Sequence, residues 1–262
     1  MPGTPCDGCK WTDPNAGNTA KVLDGNGILA TSYTQTACGL NYVQVSNPLY
    51  KRGFSFQVGL NQPAAYAVAG IPVGAVILKA FLYVGASGNL GLFNTSITNP
   101  LSATASFSMT QIGQHTDKCW GYSGTFNYRA DVTSIIAGNG NYIISGIPVM
   151  PQTPPKDADG ATLFIIYQDL SQNYTGSIVL GDGAQVAAPG TVNSVLSGFN
   201  VCATPSVFTN FILISDLQKV LPTDIRLNSL ANNFLLPTAS QQVWNFISAP
   251  GAPPFVGQTT AN

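Results

Sequence analysis

The longest apolar run in the chain is VGAVILKAFLYVGA, residues 73–86, broken once by Lys79. A bilayer span needs roughly 18 apolar residues, so this run is too short to cross a membrane as a helix. Val, Ile, Phe and Tyr suit a pleated, buried surface, and the run is predicted to be a buried strand. ATLFIIYQDL (161–170) and VFTNFILISDL (207–217) contain the uninterrupted stretches LFIIY and FILI, which are expected in central strands.

Around these lie shorter β-like runs: ILATSYTQTA (28–37), YVQVS (42–46), GFSFQVGL (53–60), ATASFSMTQI (103–112), GTFNYRADV (124–132), NYIISGI (141–147), GSIVLGDG (176–183) and QVWNFISA (242–249). Gly, Asn, Pro and Asp separate them, and FSFQV and SFSMTQI alternate apolar with polar. This spacing predicts an all-β fold, a jelly-roll-like antiparallel β-sandwich with a few short helical turns. Helical turns are expected at DVTSIIAG, where Asp131 caps and Gly138 terminates, and around SDLQKVLP (215–222). PVMPQTPPKDADG (148–160) reads as a Pro-rich surface loop.

Three segments follow: an extended N-terminal arm and turn-rich lead-in at 1–27, a single sandwich domain at 28–248, and an extended tail at 249–262. At 262 residues the chain is long enough to bury about 75% of its unfolded surface. No internal repeat is present. No charged n-region followed by an apolar h-region opens the chain at Met1. Export is therefore expected without such a leader, or after its removal.

Composition supports strands and turns. All 11 acidic residues are Asp, with no Glu, beside 27 Gly and 18 Pro; Glu favours helices, whereas Asp, Gly and Pro favour turns. A net charge of −1 provides no basic face for nucleic acid and no cationic stripe for anionic lipid. So little charge also lets molecules associate, which suits either an Asn/Ser/Thr-solvated secreted domain or a subunit covered by copies of itself.

ILKAFLYVGASGN (77–89), FNYRADVTSIIAGNGNYIISGI (126–147) and DGATLFIIYQDLSQNYTGSIVLGDG (159–183) occur in that order. Together they resemble a β-rich domain of secreted and surface proteins of bacteria and archaea, often found beside adhesin-like modules. The likeness covers about residues 75–185, with a weaker echo in FILISDL and DIRLNSLANN. It departs at Val84, where such domains commonly carry Trp. The resemblance implies a surface β-sandwich and no particular chemistry. In layout alone, a Cys-bearing arm before a jelly roll is similar to self-assembling appendage or pilus-type subunits.

The candidate sites start with five cysteines: Cys6, Cys9, Cys38, Cys119 and Cys202. Cys6-x2-Cys9 with His115 and Cys119 has the ligand types of a zinc site, but the halves are far apart in sequence. A redox pair needs a helix after its thiols, and Pro and Gly follow these. Disulfides remain, and five cysteines cannot all pair within one chain. Either Cys6 and Cys9 close a local loop, with other thiols simply buried, or the arm links covalently to a neighbour.

His115 is the only histidine, and no G-x-S-x-G elbow, P-loop or strand-linked G-x-G-x-x-G is present. No enzyme activity and no cofactor are expected. Asp131, Asp169 and Asp182 read as turn and cap residues, and Lys79 as snorkelling or edge-facing. Asp157 and Asp159 in KDADGA, and Asp24 and Asn26 in LDGNG, echo calcium-loop beginnings without the distal acidic ligand. Asn94 and Asn173 lie in N-x-[ST] sequons. Trp11, Trp120, Trp244 and ten Tyr could stack on sugars or anchor cores and interfaces.

The expected function is a structural subunit, extracellular or on the cell surface, that self-assembles into a filament or layer through its N-terminal arm. Its partners are copies of itself. The alternative is a monomeric carbohydrate-binding or adhesion module whose partners are surface glycans.

Overall fold

The computed structural model describes residues 23–24, 29–52, 57–115, 124–148 and 157–184, plus four short strand segments between 211 and 248. The described residues form seventeen strands, in the order β1 (Leu23–Asp24), β2 (Ala30–Cys38), β3 (Leu40–Pro48), β4 (Tyr50–Arg52), β5 (Gln57–Leu60), β6 (Ala64–Val68), β7 (Val76–Ser87), β8 (Phe93–Thr98) and β9 (Thr104–His115). They continue with β10 (Thr125–Asp131), β11 (Gly140–Ser145), β12 (Asp157–Gln168), β13 (Thr175–Asp182), β14 (Phe211–Ile214), β15 (Ile225–Arg226), β16 (Asn233–Phe234) and β17 (Asn245–Ser248). The fold is all-β and sandwich-like, and among the described residues every ladder is antiparallel except the short pairing of β1 with β9.

Eight strands follow one path, β3-β12-β7-β10-β9-β8-β11-β6, with β1 attached to β9 as the ninth. β9 serves both halves of this path. Residues Thr104 to Met109 pair with β8, and Thr110 to His115 pair with β10. The far edge returns on itself: Asn47 of β3 donates from Nδ2 to the Ala65 carbonyl of β6, nearly closing a barrel.

The run at 73–86 does become a buried strand, and its continuity has a specific cause. In β7, Ala80, Leu82, Val84 and Ala86 face the main core, while Phe81 and Tyr83 face a second core on the opposite side. β12 behaves alike, with Leu163, Ile165 and Tyr167 inward and Phe164 and Ile166 outward. A strand covered on both faces needs apolar side chains at every position. β12 is central, between β3 and β7, as LFIIY predicts.

The second core lies under a two-stranded ribbon, β2 with β13. A tight corner makes this layer possible. Gly39 is the single residue between β2 and β3, at φ +63°, and a Cβ there would overlap the Asp169 carbonyl. Glycine alone meets both demands. Gly39 N donates to Tyr174 O at 2.7 Å and Asp169 N to Gly39 O at 2.9 Å, so both strands turn together. The β3–β12 ladder thus continues beyond the corner as β2–β13, folded back over the sheet.

Three expectations shift. FILI forms β14, which among the described residues pairs with β17 and with no strand of the large sheet; a four-residue apolar run signals burial but carries no partner information. The surface loop expected through Gly160 ends earlier, because Asp157 to Gly160 already pair with β7 across a bulge between Ala158 and Gly160. Asp-Gly chemistry reads as a turn but also fits a bulge. At DVTSIIAG the turn is a 3-10 helix, Thr133–Ile135, with Asp131 Oδ1 accepting from Thr133 N at 3.0 Å. Within the expected arm and lead-in at 1–27, Leu23 and Asp24 form β1 on β9; the rest of that segment, the tail and SDLQKVLP lie outside the described residues.

Candidate functional site

The polar groups that the fold gathers most tightly sit between the ribbon and the sheet. FNYRAD in β10 alternates: Phe126, Tyr128 and Ala130 enter the main core, which leaves Asn127, Arg129 and Asp131 on the other face. By pattern that face belongs to solvent, yet the ribbon covers most of it. Arg129 forms an ion pair with Asp182 of β13 through Nη1 and Oδ2, with the Arg129 side chain 15% exposed and Asp182 1%. The same Nη1 donates to Ser32 Oγ of β2 at 2.9 Å, and Ser32 Oγ donates to the Leu180 carbonyl at 3.3 Å. Tyr83 donates its hydroxyl to Asp182 Oδ1 at 3.3 Å. The guanidinium lies 4.6 Å from the Phe81 ring centre, a cation–π distance.

Asp182 is therefore no turn residue, as its Gly neighbours suggest, but the buried anion that receives Arg129. Burial pushes its carboxyl above the usual carboxylate range, while Arg129 and the Ser32 and Tyr83 hydroxyls pull it back. Burial, followed by the Asp182 charge, pushes the Tyr83 hydroxyl up as well. A second tie lies just beyond: Asn127 Nδ2 donates to Gly183 O at 2.6 Å. Gly113 of β9 has no room for a Cβ against the Gly183–Ala184 peptide. Its members bond to one another across the two layers, so the cluster acts as a clasp holding the ribbon down.

Lys79 and Asp131 form a second pair. Lys79 is a central-strand residue, and its Nζ lies 2.5 Å from Asp131 Oδ2, with the two side chains 33% and 48% exposed. Against the upward push of burial, bonds from Lys79 and Thr133 hold the Asp131 carboxyl below its ordinary value. Lys79 is thus ion-paired, neither snorkelling nor at an edge.

The remaining candidates are dispersed. Cys38 ends β2 and is disulfide-bonded; Cys6, Cys9, Cys119 and Cys202 lie outside the described residues. Asp24 is in β1 beside Gln114, and Asn26 lies outside. Asp157 and Asp159 fall at the start of β12, their side chains outside the described set. Asn94 is exposed on β8, accepting from Ser108 Oγ at 2.7 Å, and Asn173 is exposed in the turn between β12 and β13. Asp169 is a turn residue, accepting from Ser171 N at 3.0 Å. The three Trp residues lie outside the described residues.

Tyrosines serve the interior. Tyr66, Tyr128 and Tyr142 are fully buried. Tyr142 accepts from Ala137 N at 2.9 Å and donates to Gly138 O at 2.7 Å, and Tyr128 accepts from Leu90 N at 2.9 Å. Among the tyrosines whose side chains are described, only Tyr174 is exposed. No group of three His, Cys or Asp side chains placed to hold a metal occurs among the described residues, and no helix among them is long and apolar enough to cross a membrane.

No protein-family model, no curated protein and no solved structure matches the chain.

Proposed function

We propose that this protein is a structural subunit that assembles with copies of itself into an extracellular filament or surface layer. The observation that carries the reading is cysteine arithmetic. Cys38 is disulfide-bonded, and a bond within the chain takes two of the five cysteines, leaving an odd number. At least one thiol then has no partner in its own chain. Cys6 and Cys9 belong to a 22-residue segment ahead of β1, which when extended reaches about 70 Å. That is enough to meet a neighbouring molecule.

The mechanism is docking of this arm on a neighbour, followed by oxidation of Cys6 or Cys9 to that neighbour. Head-to-tail contacts of this kind build open filaments when the rotation does not close. The low charge and the likeness to surface β-domains point the same way.

Gel electrophoresis of oxidised protein tests the reading directly. A ladder that collapses with reductant, and is absent in a Cys6→Ser/Cys9→Ser variant, is the expected result, with fibres or sheets in negative-stain micrographs. A single band in both lanes, with no polymer in the micrographs, overturns it.

A further inference from the structure

The outward face of β8 and the first half of β9 is built from hydroxyl and amide side chains. Asn94, Ser96 and Thr98 point outward from β8, opposite Ser108, Ser106 and Thr104 of β9. Thr95 and Ile97 are buried on the other side of β8. Asn94-Thr95-Ser96 is a sequon, the acceptor sequence of N-linked glycosylation.

Three observations set Asn94 apart from a chance match. The first is its amide. Asn47, Asn99, Asn127 and Asn139 each donate Nδ2 to a distant backbone carbonyl and so serve the fold. Asn94 instead accepts from Ser108 Oγ through Oδ1, and among the described residues its Nδ2 has no acceptor. The nitrogen that would carry a sugar is held outward and unspent. The second is a hollow of about 270 Å³ beside it, lined by Leu92, Phe93, Asn94, Ser108 and Met109. Drug-sized ligands fill larger pockets, from about 300 Å³ upward, so this hollow suits a single sugar ring. Leu92 is 99% exposed, and the C–H face of a pyranose would cover it. The third is composition. Only 8% of residues are charged, and a glycan solvates a surface that charge does not.

We propose that Asn94 carries an N-linked oligosaccharide whose first sugar seats in this hollow. The donor is a lipid-pyrophosphate-linked oligosaccharide. Asn94 Nδ2 bonds to the anomeric carbon as the carbon–oxygen bond to pyrophosphate breaks. The lipid pyrophosphate leaves with the bonding electrons, and the displaced Nδ2 proton passes to a base of the transferase. In the folded chain Thr95 Oγ1 donates to the Ser145 carbonyl at 3.0 Å, and Ser96 lies between Ser106 and Ser145 in the ladders. Transfer therefore precedes docking of β8, during export, and folding then leaves the sugar on the outside. The glycan keeps this face of the sheet out of contacts between copies. It is independent of the arm.

The test is peptide mass spectrometry of the protein secreted by its own cells. Trypsin separates the two sequons into residues 80–118 and 157–219, so occupancy at Asn94 is read without interference from Asn173. Peptide 80–118 is expected to carry a glycan. Ser96→Ala, which leaves Asn94 in place, is expected to lose it, and Ser96→Thr to keep it. An unmodified peptide, or a glycan that survives Ser96→Ala, overturns the proposal.

Seating of the first sugar has its own readout. Ser96→Ala protein is expected to melt roughly 2–4 °C below both wild type and Ser96→Thr. In a Leu92→Ser background, with one wall of the hollow made polar, that gap should shrink. Equal melting of the three proteins, or a gap indifferent to Leu92, overturns the seating. A glycosylated preparation that forms no fibres would leave this site standing and remove the filament.

Discussion

The central pair β7–β12 and the ribbon β2–β13 are both long antiparallel ladders, yet their sequences look unlike. The first is covered on two faces and reads as nearly continuous apolar residues. In the second, Tyr33, Ala37, Ile178 and Leu180 reach the second core, while Thr34, Thr36 and Ser177 do not, and among the described residues no layer lies over these three. Continuity in a strand therefore reports how many layers cover it, and a mixed strand still builds a core on one side. The ribbon adds what the central pair lacks, a buried ion pair that ties layer to layer.

The sharpest way to break this contrast is to orphan the clasp. Asp182→Ala leaves Arg129 buried without its anion and is expected to cost about 3–5 kcal/mol. Replacing both partners with apolar residues of similar size should recover most of that loss. Denaturant unfolding measures both, and a single-variant cost below about 1 kcal/mol would mean that the ribbon lifts off easily.

Core deletions on opposite faces of β12 come next. Leu163 faces the main core and Ile166 the ribbon, and both are 0% exposed. Leu163→Ala and Ile166→Ala are each expected to cost about 2–5 kcal/mol. A cost confined to Leu163 would show that the ribbon covers Ile166 without packing on it.

The smallest effect belongs to Lys79–Asp131. The Asp131 side chain is 48% exposed, so solvent screening leaves the pair worth about 0.2–1 kcal/mol. Because the folded carboxyl is held below its unfolded value, this contribution is complete above about pH 4. It is lost as pH falls through the folded value. The stability gap between wild type and Asp131→Asn should therefore narrow on acidification, measured as denaturation midpoints against pH; a gap that widens would reverse the assigned direction. Asp182 has the opposite sign. Its raised carboxyl makes its ionisation cost stability as pH climbs from the unfolded value to the folded one.

Much of the fold class was legible in residues 73–86 and 161–170, because strand burial leaves a local mark in period and composition. The Asp131 turn was legible for the same reason: an Asx side chain reaches a donor two residues away. The clasp was not. Arg129 lies on the polar side of a regular alternation, and that pattern cannot say whether water or a ribbon strand distant in sequence covers it. Asp182, flanked by Gly181 and Gly183, carries the residue signature of a turn while sitting in a buried strand. FILI marked a strand without naming its partner.

The amino-acid sequence alone determined that this is a strand-built protein with turns of Asp and Gly, and with cysteines that cannot all pair within it. These properties live in neighbours a few residues apart, where backbone preference and side-chain period act. The folded chain alone decided that β9 joins two halves of one sheet, that Gly39 turns a ladder back over itself, and that Arg129 meets Asp182. Those contacts join residues distant in sequence, and they depend on which surfaces burial brings together.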